Sequence, residues 1–178
     1  MLKQSVICVL KIDASFPREG RQGPDCYPLG MSLIDSSRVE SAIKRLGTLD
    51  ANARPRWGSM SALEMVEHLS NSLEIALGQR QAKALAPSWL TPLLWRLGGL
   101  PLPIPHGMPS TNEFLAPRGE DFHAARNTLS QNLRRFHRDV LANPAATHTH
   151  PVFGALNRLQ WAELQDRHLR HHFKQFGL

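Results

Sequence analysis

The stretch "LQWAELQDRHLRHHFKQFG", residues 159–177, decides how this chain is read. Successive residues of an α-helix turn by about 100°. On that wheel Trp161, Leu164, Leu169, Phe173 and Phe176 form one apolar arc. His168 and His172 fall inside the arc, on either side of Trp161, and His171 sits at its edge beside Leu164. Arg167, Arg170 and Lys174 lie opposite. Such a segment is a helix with one face committed to a core. Two imidazoles, one turn apart, point at that core. The Cβ atoms of an i, i+4 pair are about 5–6 Å apart, so both rings can reach one zinc-like ion at about 2.0–2.1 Å. The same placement also suits two hydrogen-bonded core histidines, and the pair alone does not choose between them.

Three further segments share the helical period. Ser37 and Glu40 form a capping box for a helix over 37–47, with Val39, Ile43 and Leu46 as its stripe and Gly47 as its stop. Ser61 and Glu64 form another for 61–78, ended by Gly78. Phe122, Ala125, Leu129, Leu133, Phe136 and Val140 mark a helix over 120–142, with Pro144 beyond its end. Asn157 and Gln160 open the last helix, 157–176, and Gly177 closes it. The fold class expected is all-α: a four-helix bundle with a long crossover, residues 79–119, between helices two and three. Within the crossover, "PSWLTPLLWRLGG" (87–99) reads as a short apolar helix, and its Trp89, Leu93, Leu94 and Trp95 as a flap packing on the bundle. A lid or a dimer contact would use the same residues. "LPLPIPHGMPST" (100–111) reads as an extended loop.

A third metal ligand must come from elsewhere, and the candidates are His68, His106, His123, His137, His148 and His150. Only His68 lies mid-helix. The stripe of its helix is Leu63, Val66, Leu69, Leu73 and Leu77, and His68 falls off the centre, near Glu64 and Asn71. Periodicity therefore leaves it undecided. His123 and His137 read as solvent-facing.

Composition narrows the rest. The 178 residues suit one domain with a core of its own, 42% hydrophobic and 20% charged. Residues 1–30 differ: a short apolar run is followed by the Gly/Pro-rich "FPREGRQGPDCYPLG". They read as a flexible arm, or as sequence ahead of a start at Met31, with the domain over 31–178. The apolar stretch Val6–Leu10 is too short for a signal peptide and Lys11 interrupts it. No run approaches the roughly 20 apolar residues of a spanning helix. A cytoplasmic protein with no membrane partner is expected. Cys8 and Cys26 are the only cysteines, which excludes a disulfide framework or a thiolate-ligated zinc in the bundle. The net charge of +6 is scattered among acids, so no nucleic-acid partner is expected. The chain has no Gly-rich phosphate loop and no GxSxG.

Four pieces of sequence together carry a resemblance: "RWGSMSALEMVEHL" (56–69), "PHGMPST" (105–111), "HPVFG" (150–154) and residues 159–177. They resemble the DinB-like superfamily of metal-dependent helix bundles, in a bacterial branch of it, over residues 31–178. The resemblance implies a four-helix bundle holding one divalent ion (zinc, nickel or manganese) on three histidines. Those are one from helix two and two from an H-x3-H in the last helix, here His68, His168 and His172. His171 remains the alternative ligand. Relatives of that kind include transferases and isomerases that use a low-molecular-weight thiol, so a small-molecule substrate, a thiol cofactor and a homodimer are expectations of the resemblance. Three neutral histidines leave positions open on the metal, as in catalytic sites. Beside them, Glu64, one turn before His68, is a candidate proton acceptor, although the capping box claims it too. His150 is a candidate substrate contact, although a structural turn before Pro151 would also explain it. The function expected is a metal-dependent transferase or hydrolase, with a non-catalytic binding or regulatory bundle as the alternative.

Overall fold

The computed structural model describes residues 33–85, 87, 89–91, 93–94, 112–119 and 121–178. Four long helices form the bundle: α1 (Ser36–Gly47), α2 (Ala62–Ala76), α4 (Phe122–Ala142) and α5 (Arg158–Phe176). A single turn, α3 (Asn112–Leu115), precedes α4. Strands β1 (Thr147–His150) and β2 (Gly154–Asn157) form an antiparallel hairpin between α4 and α5, with His150 opposite Gly154 and Thr147 opposite Asn157.

Each helix begins for a local reason. Both expected boxes form at α2 and α5: Ser61 with Glu64, and Asn157 with Gln160. The one expected at Ser37 does not. Asp35 is the N-cap of α1 and accepts from the Ser37 backbone at 2.8 Å. A carboxylate already sitting on the first free N–H leaves nothing for Ser37 to cap, and Glu40 instead pairs with Arg134 of α4 at 2.9 Å. Asp121 caps α4. At the other ends, Gly78 and Gly177 take φ of +74° just past α2 and α5, the left-handed conformation that closes a helix cheaply only with glycine.

The core runs through all four helices. Trp161, Phe136, Phe173, Met65, Leu69 and Leu133 are among its fully buried members, each contributing about 1.5–3 kcal/mol by leaving water. The residue α2 presents to solvent is the exception rather than the rule. From Met65 to Leu73 every residue is buried, including Glu67, His68, Ser70, Asn71 and Ser72. α2 is the central helix, covered by α4, α5 and the last residues of the crossover, from α3 onward.

That segment is strapped to α2 by polar bonds. Asn71, fully buried, donates to the carbonyls of Phe114 (3.1 Å) and Ala116 (2.8 Å). Glu67 accepts from the Arg118 backbone at 2.9 Å, and the Arg118 guanidinium meets Glu74 at 2.6 Å. Arg158 ties the far end. Its guanidinium, 3% exposed, donates to the Ala76 carbonyl and faces Asp139 of α4. It thus closes the C-terminus of α2, where carbonyls lack helical partners and a positive charge is favoured.

The flap expected around Trp89 is not what the described residues show. Trp89 is 78% exposed and Leu93 52%, while the Leu85 backbone bonds to the Pro151 carbonyl at 2.7 Å. Trp95 and the loop 100–111 lie outside the described residues, as does the extension 1–30. Among the described residues no helix is long and apolar enough to cross a membrane.

Replacing Arg158 by Met should test the tie. It leaves the part-buried Asp139 carboxylate and the carbonyls of Ala76 and Leu77 without their donor, and a loss of about 2 kcal/mol is expected, read as a lower midpoint in urea unfolding. A midpoint unchanged from wild type would show that water replaces the guanidinium without cost.

Candidate metal centre

His68 enters the bundle interior from the middle of α2, and His168 and His172 from successive turns of α5. Their three Nε2 atoms converge. His68 Nε2 lies 2.8 Å from His168 Nε2, which lies 3.1 Å from His172 Nε2. Two ligand nitrogens at about 2.0–2.1 Å from one ion stand about 3 Å apart, which is the spacing seen. One ligand atom from each ring lies within 4.8 Å of both others.

The opposite edge of two rings is already engaged. His68 Nδ1 is 3.3 Å from the Phe114 carbonyl, and His172 Nδ1 is 2.8 Å from Gln175 Oε1. Both partners accept only, so each Nδ1 carries the hydrogen and each Nε2 keeps a lone pair facing the centre. Gln175 is held in turn, its amide donating to the Trp57 carbonyl at 2.9 Å. Metal-binding histidines characteristically donate their other N–H in this way, which fixes ring and tautomer. With the lone pairs of His68 and His172 aimed at His168, the donor set fits a metal ion.

Burial keeps the rings neutral. It lowers the His68 pKa to about 4, the carbonyl of Phe114 only partly opposing it. It lowers His172 to about 3, helped by the neighbouring His68. It lowers His168 well below its ordinary value, with His68 and His172 adding to the effect. Neutral imidazole is the form that ligates.

The remaining candidates fall elsewhere. His171 is outside the cluster; its ring packs edge-on against Trp57 at 5.8 Å and against His172 at 5.1 Å. Glu64 is exposed at the head of α2, its carboxylate accepting from the Ser61 backbone at 2.7 Å, and those bonds hold its pKa low. Its placement is that of a cap. His150 ends β1 and stacks on Phe153 at 4.8 Å, with Trp161 at 5.1 Å and Phe114 at 5.8 Å. Burial brings its pKa down to about 4. His137, expected in solvent, is part-buried, and its Nδ1 donates to the Leu33 carbonyl at 3.0 Å. His123 is exposed as expected, and His106 lies outside the described residues.

Sequence reasoning missed the groups that orient the triad. Gln175 follows His172 by three positions, a spacing that places both on one helix face, so it could have been found. The Phe114 carbonyl could not, because a backbone acceptor leaves no mark on sequence. The cleft between α1 and α5, lined by Arg38, Arg45, Asp166 and Phe173 among others, includes none of the three histidines.

No curated protein and no solved structure matches the chain. The model of the DinB superfamily matches residues 35–176, from the N-cap of α1 to the end of α5. The helical bundle with its small hairpin, and a histidine cluster able to hold a metal ion, are thus found in a chain that belongs to the DinB superfamily.

Proposed function

We propose that this protein binds one divalent cation through Nε2 of His68, His168 and His172, and uses it to act on a small molecule as a transferase or hydrolase. The observation that carries the reading is the convergence of three Nε2 atoms with the Nδ1 edges of His68 and His172 engaged by pure acceptors. Zinc, nickel and manganese are the candidate ions. A bound ion of this kind lowers the pKa of a molecule in its open position, water or thiol. The protein's own contribution is to hold three neutral rings in place and to shield them from solvent. The bundle has no cysteine from residue 31 onward, so a reacting thiol, on this reading, comes from a low-molecular-weight compound. Part of the positive charge is paired with carboxylates within the fold. Arg38 and Arg170 face Asp166, Arg80 and Arg118 face Glu74, Arg134 faces Glu40 and Arg158 faces Asp139. This supports a small-molecule partner rather than nucleic acid, in a cytoplasmic protein, with a homodimer compatible with the family.

Elemental analysis of tag-free protein tests the reading. Near-stoichiometric metal is expected in wild type and in His171→Ala, and its loss in His68→Ala and His172→Ala. Wild type that takes up no zinc, nickel or manganese on dialysis would overturn it.

The orienting bond makes a finer prediction. Gln175→Leu frees the Nδ1 hydrogen of His172 from its acceptor, and metal affinity should fall about 10–100-fold with the helix content unchanged. An affinity equal to wild type would mean that packing alone orients the ring.

Acid should unfold the metal-free protein early. The three rings have pKa values near 6.5 when unfolded and lower values when folded, about 4 for His68 and about 3 for His172. The unfolded chain therefore binds more protons below pH 6.5, and stability falls as pH drops from there towards 3. The fall should be shallower in His68→Leu, measured by urea titration at several pH values. Parallel profiles would remove the triad as the cause.

A further inference from the structure

The hairpin brings a fourth imidazole to this part of the bundle, and its hydrogen bonds run the other way. His150 Nδ1 accepts from two backbone N–H groups, those of Val152 at 3.1 Å and Phe153 at 3.3 Å. A nitrogen that accepts twice carries no hydrogen, so His150 is the Nε2–H tautomer. The rings of His68 and His172 are the reverse, with hydrogen on Nδ1 and a lone pair on Nε2. The ring is also clamped: Phe153 stacks on it, Trp161 and Phe114 close around it, and the Phe114 ring in turn meets His68 edge-on with ring centres 5.9 Å apart. His150 lies within electrostatic reach of His168. Its Nε2–H meets no acceptor among the described residues, although the ring is largely enclosed.

The charge of the centre says what that donor faces. Three neutral imidazoles leave a divalent ion with its full double charge. The groups that contact the triad among the described residues are other rings, a carbonyl and an amide, none of them anionic. A cation held this way in a low-dielectric interior favours an anion in its open position. A fixed N–H donor nearby strengthens that preference, because hydrogen bonds to charged acceptors are roughly twice as strong as neutral ones.

We infer that His150 is a ligand-binding residue, whose Nε2–H donates to the anionic atom (thiolate or carboxylate) of a small molecule seated in front of His68, His168 and His172. The inference rests on the metal reading above and adds the ligand's charge and the residue that selects it. The hairpin is then the part of the fold that delivers the donor: the turn 151–153 supplies the two N–H groups that force the tautomer, and the Trp161 indole bonds to the His148 carbonyl at 3.1 Å to anchor the strand.

The test uses the full chain loaded with cobalt(II), with azide as the anionic probe, titrated by visible absorption. His150→Phe keeps the aromatic stack and removes the donor; His150→Gln restores an N–H donor. Cobalt content, checked by elemental analysis, should be equal in all three. Azide should bind about tenfold more weakly to His150→Phe, with at least part of the loss recovered in His150→Gln. Equal azide affinity at equal cobalt content would overturn the inference and leave the metal reading intact. Wild type that takes up no cobalt would overturn both, and elemental analysis separates the two results. Should His150→Phe not fold, nitrogen-15 spectra of the wild-type imidazoles decide the matter. A hydrogen on His150 Nδ1 would remove the donor, and Nε2–H would support it.

Discussion

An imidazole has two nitrogens, and in a protein interior the partner of one decides what the other can do. The centre of this bundle depends on that constraint. The Phe114 carbonyl and Gln175 amide oxygen take the Nδ1 hydrogens of His68 and His172, and the lone pairs left on Nε2 are aimed at His168 Nε2, 2.8 and 3.1 Å away. A single hydrogen on His168 Nε2 can satisfy only one of these two lone pairs, so the arrangement is completed by a further proton or by a metal ion between the rings. Burial makes the proton expensive, which is why the pKa values of all three rings fall. Elements well away from the centre act to hold that arrangement. The Asn71, Glu67 and Glu74 bonds that fasten residues 114–118 to α2 fix the carbonyl on His68. The loop before α2 fixes Gln175 through the Trp57 carbonyl, and the Arg56 backbone bonds to the Gln175 carbonyl at 2.7 Å.

The same economy governs the buried charges. Asp166 of α5 is 6% exposed, and burial raises its pKa despite Arg170 and Arg38 beside it. The pair with Arg38 at 3.3 Å joins α1 to α5. Arg158 joins α2, α4 and α5 at the other end. Buried pairs contribute little net stability, since desolvation offsets much of their attraction, but breaking one is costly. Their effect here is to fix register. A helix that slid by one turn would leave a charge without its partner, and the same slide in α5 would take His168 and His172 away from His68.

Much of this was legible in residues. The four helices are found within two residues of their expected bounds, because caps and closing glycines are local chemistry that the chain carries with it. The pairing of His168 with His172, in preference to His171, follows from the apolar arc of α5. His68 was not legible by the same means. A helical wheel assumes one buried side and one wet side, and α2 is covered all round, so Glu67, Asn71 and Ser72 are as buried as Leu69. Of the polar residues beside His68, Glu64 does face solvent, whereas Asn71 bonds to the strap and Ser72 Oγ accepts from the buried Gln165 amide at 2.7 Å. Family resemblance supplied what periodicity could not. The hairpin was missed for a related reason. Four residues, "THTH", have too little apolar alternation to declare a strand, and they pair only because α4 and α5 hold their ends together.

That hairpin also explains a glycine. A Cβ on Gly78 would fall 2.1 Å from the His148 ring, so the turn that ends α2 is in direct contact with the strand that carries His150. Two residues on from His148 along a strand, side chains return to the same face. His148 lies against the end of α2, and His150 is turned toward Phe114 and Trp161 by the same pleat. The close approach permitted by Gly78 therefore sets how deeply the hairpin seats against the bundle, and with it the position of the one imidazole there whose free edge is a donor. The bundle supplies acceptor nitrogens from its helices and a donor from its hairpin, and these are the complementary halves that an anion bound at a cation requires.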